Sequence, residues 1–187
     1  MSGAGHIDPS NKKVALLIAV LAAFLAFSET LGSSAQTEAL SRNIEASNLW
    51  AFFQAKTIRL TTLRTAAESL EVDASLAPTP EARAIIDKRI ASWKKAAERY
   101  DSEPDTQEGR KELAARAKES EKKRDRALAA YHQFEVASGA LQIAIVLASA
   151  NVITGAAFLM WGAMGLGMVG IAFAAIGFLA PTAVHLF

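Results

Sequence analysis

Charged side chains are nearly absent from two long stretches of this 187-residue chain. Residues 136–187 contain no Asp, Glu, Lys or Arg, and residues 14–31 contain only Glu29. A bilayer crossing takes about 20 consecutive apolar residues in a helix. Residues 136–187 are therefore long enough for two crossings, and residues 14–31 for one. The sequence therefore predicts an all-α protein with a three-helix transmembrane bundle and a polar segment inserted between membrane helices one and two.

Turn-forming and interfacial residues place the boundaries of these segments. We expect the turn of the last helix pair at Met160–Ala163, because Gly162 favours a turn and Trp161 suits the bilayer interface. Residues 14–31 also resemble a secretory signal peptide, but the length of this apolar stretch favours a retained helix. The predicted segments are an N-terminal tail (1–12), membrane helix one (13–32), the polar insert (33–135), membrane helix two (136–160) and membrane helix three (163–187).

Small side chains recur at alternating spacings of four and three residues in each membrane segment. This spacing places them on one face of a helix, and close packing must drive helix association in lipid because lipid supplies no hydrophobic force. We therefore predict a packing face on each helix, the alternative being a chance pattern in Ala- and Gly-rich segments. The predicted packing residues are Ala15, Ala19, Ala22 and Ala26 in helix one, Ala144, Ala148 and Asn151 in helix two, and Ala163, Gly167, Gly170, Ala174 and Gly177 in helix three.

Polar side chains inside these segments are candidates for function, because they are costly in lipid. Glu29 lies near the insert end of helix one, and Gln142 and His185 are expected at a similar depth. A Glu29–His185 contact is one hypothesis, and a Glu29 wetted by headgroup water is the alternative. Asn151 lies about 22 Å from the insert side, so we expect it to form a hydrogen bond between helices rather than to meet Glu29.

The insert shows helical periodicity throughout. We predict helices over 33–77, 79–101 and 105–135, because Pro78 and Pro80 end the first and Thr79 caps the second. A 4-3 stripe runs from Leu49 to Leu70, with an upstream phase offset at Leu40 and Ile44. Such stripes predict an antiparallel coiled-coil hairpin with a broken second leg and a thin core.

Aromatic residues cluster at Trp50, Phe52 and Phe53. Successive residues on a helix point about 100° apart, so these three cannot share one face. Core packing and contact with a second copy or a partner both remain open. With Trp93 and Tyr100 of the next predicted helix, they are the candidate interaction residues.

Several kinds of chemistry are excluded or disfavoured. The chain has no cysteine, which excludes disulfides and thiolate metal sites. Its three histidines lie in separate segments, and neither a phosphate-binding loop nor paired catalytic carboxylates occur. The net charge of +1 gives no argument for nucleic acid, and the basic cluster at 122–126 suits ion pairs or lipid headgroups. We predict no catalytic residue, no cofactor, no metal and no nucleic-acid partner.

Four stretches resemble one bacterial family. They are Ile44–Lys56 (IEASNLWAFFQAK), Ala96–Pro104 (AAERYDSEP), Gly109–Ala114 (GRKELA) and Leu141–Ser149 (LQIAIVLAS). Together they are similar to the family known as domain of unknown function 4337, and the likeness covers nearly the whole chain. The resemblance implies a three-helix inner-membrane protein without an assigned activity, so it supports the architecture and adds no chemistry.

The sequence thus favours a non-enzymatic membrane protein that acts as an oligomeric scaffold or as an accessory subunit of a membrane complex. Its expected partners are membrane lipid and either further copies or a larger complex. Lys12 and Lys13 favour a cytoplasmic N-terminus and a periplasmic insert, in the bacterial inner membrane, although the basic cluster of the insert favours the reverse. The alternative function is an oligomeric pore lined by Glu29, Gln142, Asn151 and His185.

Overall fold

The computed structural model describes residues 9–184 as four α-helices, with no strand between those limits. The helices are α1 (Pro9–Ser75), α2 (Pro80–Asp101), α3 (Arg110–Thr154) and α4 (Ala157–Leu179). They form two compact units. The apolar unit comprises 9–40 and 123–184, and the polar unit comprises 41–122. The start of the predicted tail, His6 and His185 lie outside the described residues.

Three of the helices are long and apolar enough to cross a membrane: α1, α3 and α4. The predicted all-α architecture with three candidate spans is therefore confirmed. In α1 and α3 an apolar segment and a polar segment form one continuous helix, because neither a proline nor a positive-φ glycine lies between them.

A single stripe of packed side chains runs along α1 and repeats every four and three residues. Its buried members in the apolar unit include Val14, Leu21, Ser28 and Ala39, and in the polar unit it continues through Ala46, Leu49, Lys56, Leu60, Ala67 and Ala74. Leu40 and Ile44, the apolar residues at the offset phase, are each 60% exposed, and the buried stripe passes between them through Arg42. α1 comprises 67 residues without interruption of the helix.

A side-chain cap explains where α2 begins, and a turn precedes α3. Thr79 is the N-cap of α2, and its Oγ1 accepts a hydrogen bond from the backbone N–H of Ala82 at 3.2 Å. The third helix of the insert begins at Arg110 rather than at the predicted 105. A turn intervenes there, in which Gln107 has a left-handed φ of 58°.

The packing of the polar unit is thin. Ala67 and Ala74 of α1 form one core cluster with Ile90 of α2. Leu49 of α1 forms a second with Leu113 and Ala117 of α3. Each helix contributes a narrow line of buried residues, so much of the surface of α1 stays outside the core.

Glycine permits close packing of α4 in the apolar unit. An added Cβ at Gly170 would lie 2.6 Å from Leu141 Cγ, and one at Gly167 would lie 2.7 Å from Leu21 Cδ2. Ala163 and Gly177 are also buried, and Ala174 is half-buried. The predicted packing residues of membrane helix three thus lie on the face that α4 turns towards α1 and α3.

The turn between the last two helices lies earlier than expected. α3 ends at Thr154, and Gly155 adopts a φ of +67°, which glycine reaches without steric cost. The side-chain Nδ2 of Asn151 donates to the Ala156 carbonyl at 2.9 Å. The predicted turn at Met160–Ala163 is therefore wrong, because these residues lie within α4.

The alanine face predicted for membrane helix one is not the face that packs within the chain. Ala15, Ala19, Ala22 and Ala26 are all exposed. The larger Val14 and Leu21 are buried instead, Leu21 against Leu141 and Ala144. The reason is complementarity of size, because the glycines of α4 leave room for leucine side chains.

Candidate interaction surface

The predicted interaction aromatics of α1 are largely used inside the polar unit. Trp50 and Phe53 are half-buried against Leu49, Leu113 and Ala117. Their rings meet edge-to-face with centroids 5.3 Å apart. Trp50 Nε1 also donates to Glu121 Oε1 at 2.9 Å, so its one polar atom has a partner in α3. Of the two readings left open by the sequence, these contacts favour core packing for Trp50 and Phe53.

A buried lysine lies beside them. Lys56 is 6% exposed, and its Nζ lies 5.2 Å from the ring centroid of Phe52 and 5.3 Å from that of Tyr100. Glu108 Oε2 is 3.8 Å from the same nitrogen. The two ring faces and one carboxylate together offset the cost of removing this ammonium from water.

Charged residues tie the end of α2 to the start of α3. Arg110 and Lys111 each reach Asp101 at 2.7 Å, and the Lys111 hydrogen bond, followed by that of Arg110, holds the pKa of Asp101 below its usual range. Glu112 accepts hydrogen bonds from Ser102 Oγ at 2.6 Å and from the Glu103 backbone at 3.2 Å. The Ser102 bond is the main cause of the lowered pKa of Glu112.

These contacts join three of the four stretches that carry the family resemblance. Lys56 comes from the first stretch, Tyr100 and Asp101 from the second, and Arg110 and Glu112 from the third. Sequence analysis alone did not place these residues together. Arg110 pairs with Asp101, Glu112 bonds to Ser102, and Lys56 lies over the Tyr100 ring, which is the arrangement of a structural joint between helices.

The remaining interaction residue, Trp93, lies in the other core cluster of the polar unit. It packs with Ala67, Ala74 and Ile90, and the guanidinium of Arg89 lies 5.7 Å from its ring centroid. Only Phe52 among the five predicted interaction aromatics is classed as exposed. The aromatic cluster as a whole is therefore not the free surface of the polar unit.

A different surface of the polar unit lacks an obvious role. The outer face of α1 consists of ten exposed residues spaced by four and three, offset by two positions from the buried stripe. None of the ten is charged. They are Ile44, Asn48, Ala51, Ala55, Ile58, Thr62, Thr65, Ser69, Val72 and Leu76, the last directly after the helix end.

A shallow depression, open to solvent, lies in the middle of the outer face. It is lined by Ile58 and by small side chains between Thr57 and Ser69. Short side chains at heptad spacing leave holes that accept the larger side chains of a neighbouring helix. The sequence already contained this signal, since the ten positions follow from the spacing alone.

In the apolar unit, two of the three predicted membrane polar residues come together. Gln142 Nε2 donates to Glu29 Oε1 at 3.2 Å, and both side chains are exposed at the surface of the helix bundle. The hypothesised partner His185 lies outside the described residues. Asn151 bonds to the turn after α3, as described above, in place of the predicted bond between helices.

The described residues contain no group of three or more His, Cys, Asp or Glu side chains that could hold a metal ion. Comparison with protein families shows that the model of a family described as Domain of unknown function (DUF4337) matches residues 10–180. Comparisons with curated proteins and with solved structures gave no match.

Proposed function

Because this chain belongs to the DUF4337 family, which carries no assigned activity, we propose its function from the structure. The protein is a non-enzymatic integral membrane protein that acts as an oligomeric scaffold or as an accessory subunit of a membrane complex. Three candidate spans anchor it, and the helical insert engages the partner. The outer face of α1 is the observation that carries this proposal.

A helix face left to water usually carries charges, and the rest of this insert follows that pattern. The outer face instead exposes Ile44, Ile58, Val72 and Leu76 among Thr, Ser, Ala and Asn. Isolated exposed apolar residues are ordinary, but an uncharged line over ten consecutive heptad positions is typical of a surface that receives another helix. The preferred partner therefore presents an uncharged helix face of similar length.

The 4-3 spacing of both stripes supports a coiled-coil arrangement of the insert. The inner stripe packs α1 against α2 and α3, and the outer face is offset from it by about 200° around the helix. A partner on the outer face would complete a core that is thin within one chain.

The proposed location is the bacterial inner membrane, which follows from the family resemblance. Lys12 and Lys13, at the start of the first apolar window, favour a cytoplasmic N-terminus, and three crossings then place the insert and the C-terminus in the periplasm. Accessibility of single introduced cysteines to a membrane-impermeant thiol reagent tests this orientation cleanly, because the chain has none of its own.

The test of the proposed function is native mass spectrometry, with protein identification, on the chain extracted gently from its own membrane. We expect a multiple of 19.9 kDa or a fixed co-purifying protein. Ile58→Glu places a charge in the outer face and should abolish the association made through that face. Ile85→Glu is the matched control, since Ile85 of α2 is also isoleucine and is 73% exposed against 66% for Ile58. A single unassociated chain, or equal effects of both variants, would refute the proposal.

An oligomeric pore is the second candidate, and the Glu29–Gln142 contact is the observation that favours it. Both side chains lie at the surface of the bundle, so a polar conduit would have to form between copies. A pore predicts flux through proteoliposomes that falls in Glu29→Gln. Flux no higher than that of empty liposomes would end this candidate.

A further inference from the structure

Glu29 and Gln142 form a polar pair at a place where the proposed membrane would surround it. Both side chains are exposed, they lie in the candidate spans of α1 and α3, and they are joined by a 3.2 Å hydrogen bond. Glu29 is 16 residues beyond Lys13 in an unbroken helix, which corresponds to about 24 Å of a hydrocarbon layer about 30 Å thick.

One hydrogen bond uses only part of the hydrogen-bonding capacity of this pair. A carboxylate accepts more than one hydrogen bond, and a side-chain amide donates two and accepts through its oxygen. Lipid tails offer neither donors nor acceptors, so the remaining capacity is costly on a lipid-facing surface. The pair thus favours a neighbour that brings polar groups to the same depth.

A second copy of this chain meets that requirement by symmetry. Copies inserted in the same orientation carry the acceptor Glu29 and the donor Gln142 at the same depth, so two copies related by a twofold axis along the membrane normal can each donate the second N–H of Gln142 to Glu29 of the other. We propose that this pair marks a self-association surface in the membrane, where Gln142 of each copy donates to Glu29 of its partner. The proposal rests on the proposed membrane function and names one surface that serves it.

The surroundings of the pair allow close approach. Ala22 and Ala26 lie seven and three residues before Glu29, on the same side of α1, and both are exposed. Small side chains let helix backbones come near enough for short interhelical hydrogen bonds. The outer face of the insert remains available for a further partner, since it involves other residues.

Single-cysteine cross-linking of the full chain in liposomes tests the surface. Ala26→Cys lies beside the pair, and Ala172→Cys is the matched control: it is an exposed alanine of α4 at the same depth, since α1 and α4 run in the same direction and Leu21 meets Gly167. At a low protein-to-lipid ratio, Ala26→Cys should form a disulfide dimer of twice 19.9 kDa at least several-fold more than Ala172→Cys.

Removal of the donor tests the polar pair itself. Gln142→Leu in the Ala26→Cys background should lower the dimer association constant about eightfold, because two reciprocal hydrogen bonds are lost. Glu29→Gln keeps an acceptor oxygen and should retain most of the dimer, whereas Glu29→Leu should not. Circular dichroism of each variant must show the parent helix content, so that a loss of dimer reports association and not unfolding.

The outcomes separate this inference from the proposed function. Equal cross-linking at both positions would mean random collision and would overturn the proposed self-association surface. A Gln142→Leu variant that dimerises like its parent would overturn it too. If native mass shows association but Ala26→Cys forms no dimer, the surface is wrong while the scaffold function stands. A single chain without any partner in native mass would overturn both.

Discussion

Replacement of Gly109 by alanine should loosen the joint between α2 and α3. Gly109 is buried, and its carbonyl accepts the first hydrogen bond of α3, from the Leu113 backbone N–H at 2.9 Å. A Cβ added there would lie 2.3 Å from the Glu103 backbone nitrogen and 2.7 Å from Ser102 Cα. Because both atoms belong to the backbone, no side-chain rotation relieves the overlap.

The magnitude follows from the cost of overpacking. An extra methyl group in a packed site costs about 1–3 kcal/mol, and we expect the upper end here because the α2–α3 connection itself must move. That movement would also separate Glu112 from Ser102 and from the Glu103 backbone. A cost of about 3 kcal/mol raises the population of the locally opened joint roughly a hundredfold.

Amide hydrogen exchange at residues 102–116 in detergent-solubilised protein measures this opening directly. Exchange there should accelerate by about two orders of magnitude in Gly109→Ala. Gly139→Ala is the control, since a Cβ at Gly139 meets nothing within 4 Å inside α3; helix propensity should make it stabilising by roughly 0.5–1 kcal/mol. Unchanged exchange in Gly109→Ala would refute the packing argument.

Three further perturbations have defined outcomes. Trp50→Phe removes the donor to Glu121 and should destabilise the polar unit by about 1 kcal/mol in chemical denaturation. The lowered pKa of Asp101 means that its contribution to stability is complete above its unfolded pKa of about 4 and is lost as pH falls through the folded value. The melting temperature of the polar unit should therefore decrease when the pH is brought below about 4. Gly155→Ala forces a left-handed conformation on alanine and should cost about 1 kcal/mol in a thermal melt.

Each of these has a control. Glu121→Gln keeps an acceptor for Trp50 and should cost less than Trp50→Phe, and the reverse order would contradict the assigned hydrogen bond. Asp101→Asn should reduce the decrease of the melting temperature at acid pH. An unaltered pH profile would argue against the ion pairs of Asp101 with Arg110 and Lys111. Gly165→Ala, where a Cβ meets nothing within 4 Å, should not reproduce the loss expected for Gly155→Ala.

Several features could be read from the sequence because they depend on local composition. The charge-free stretches identified the three candidate spans, since solvation of charge sets which segments can enter lipid. Thr79 and Pro80 identified the start of α2. The uncharged outer face was also present in the spacing, since its ten positions from Ile44 to Leu76 follow the same 4-3 repeat as the buried stripe.

Other features depended on partners distant in the chain. Whether α1 packs through Leu21 or through its alanines was decided by the glycines of α4, which accept the larger side chain. The last turn formed at Gly155 because a glycine with positive φ and the Asn151 side chain close α3 there, while Gly162 continues the next helix.

The sequence by itself determined which segments are helical and which are apolar, because capping, proline and charge act over a few residues. Only the tertiary structure decided which face of each helix is covered. It buried Lys56, partly buried Trp50, placed Glu29 beside Gln142, and left the outer face of α1 exposed. The physical reason is that burial depends on the fit between side chains of different helices, and periodicity does not specify which of several faces finds that fit.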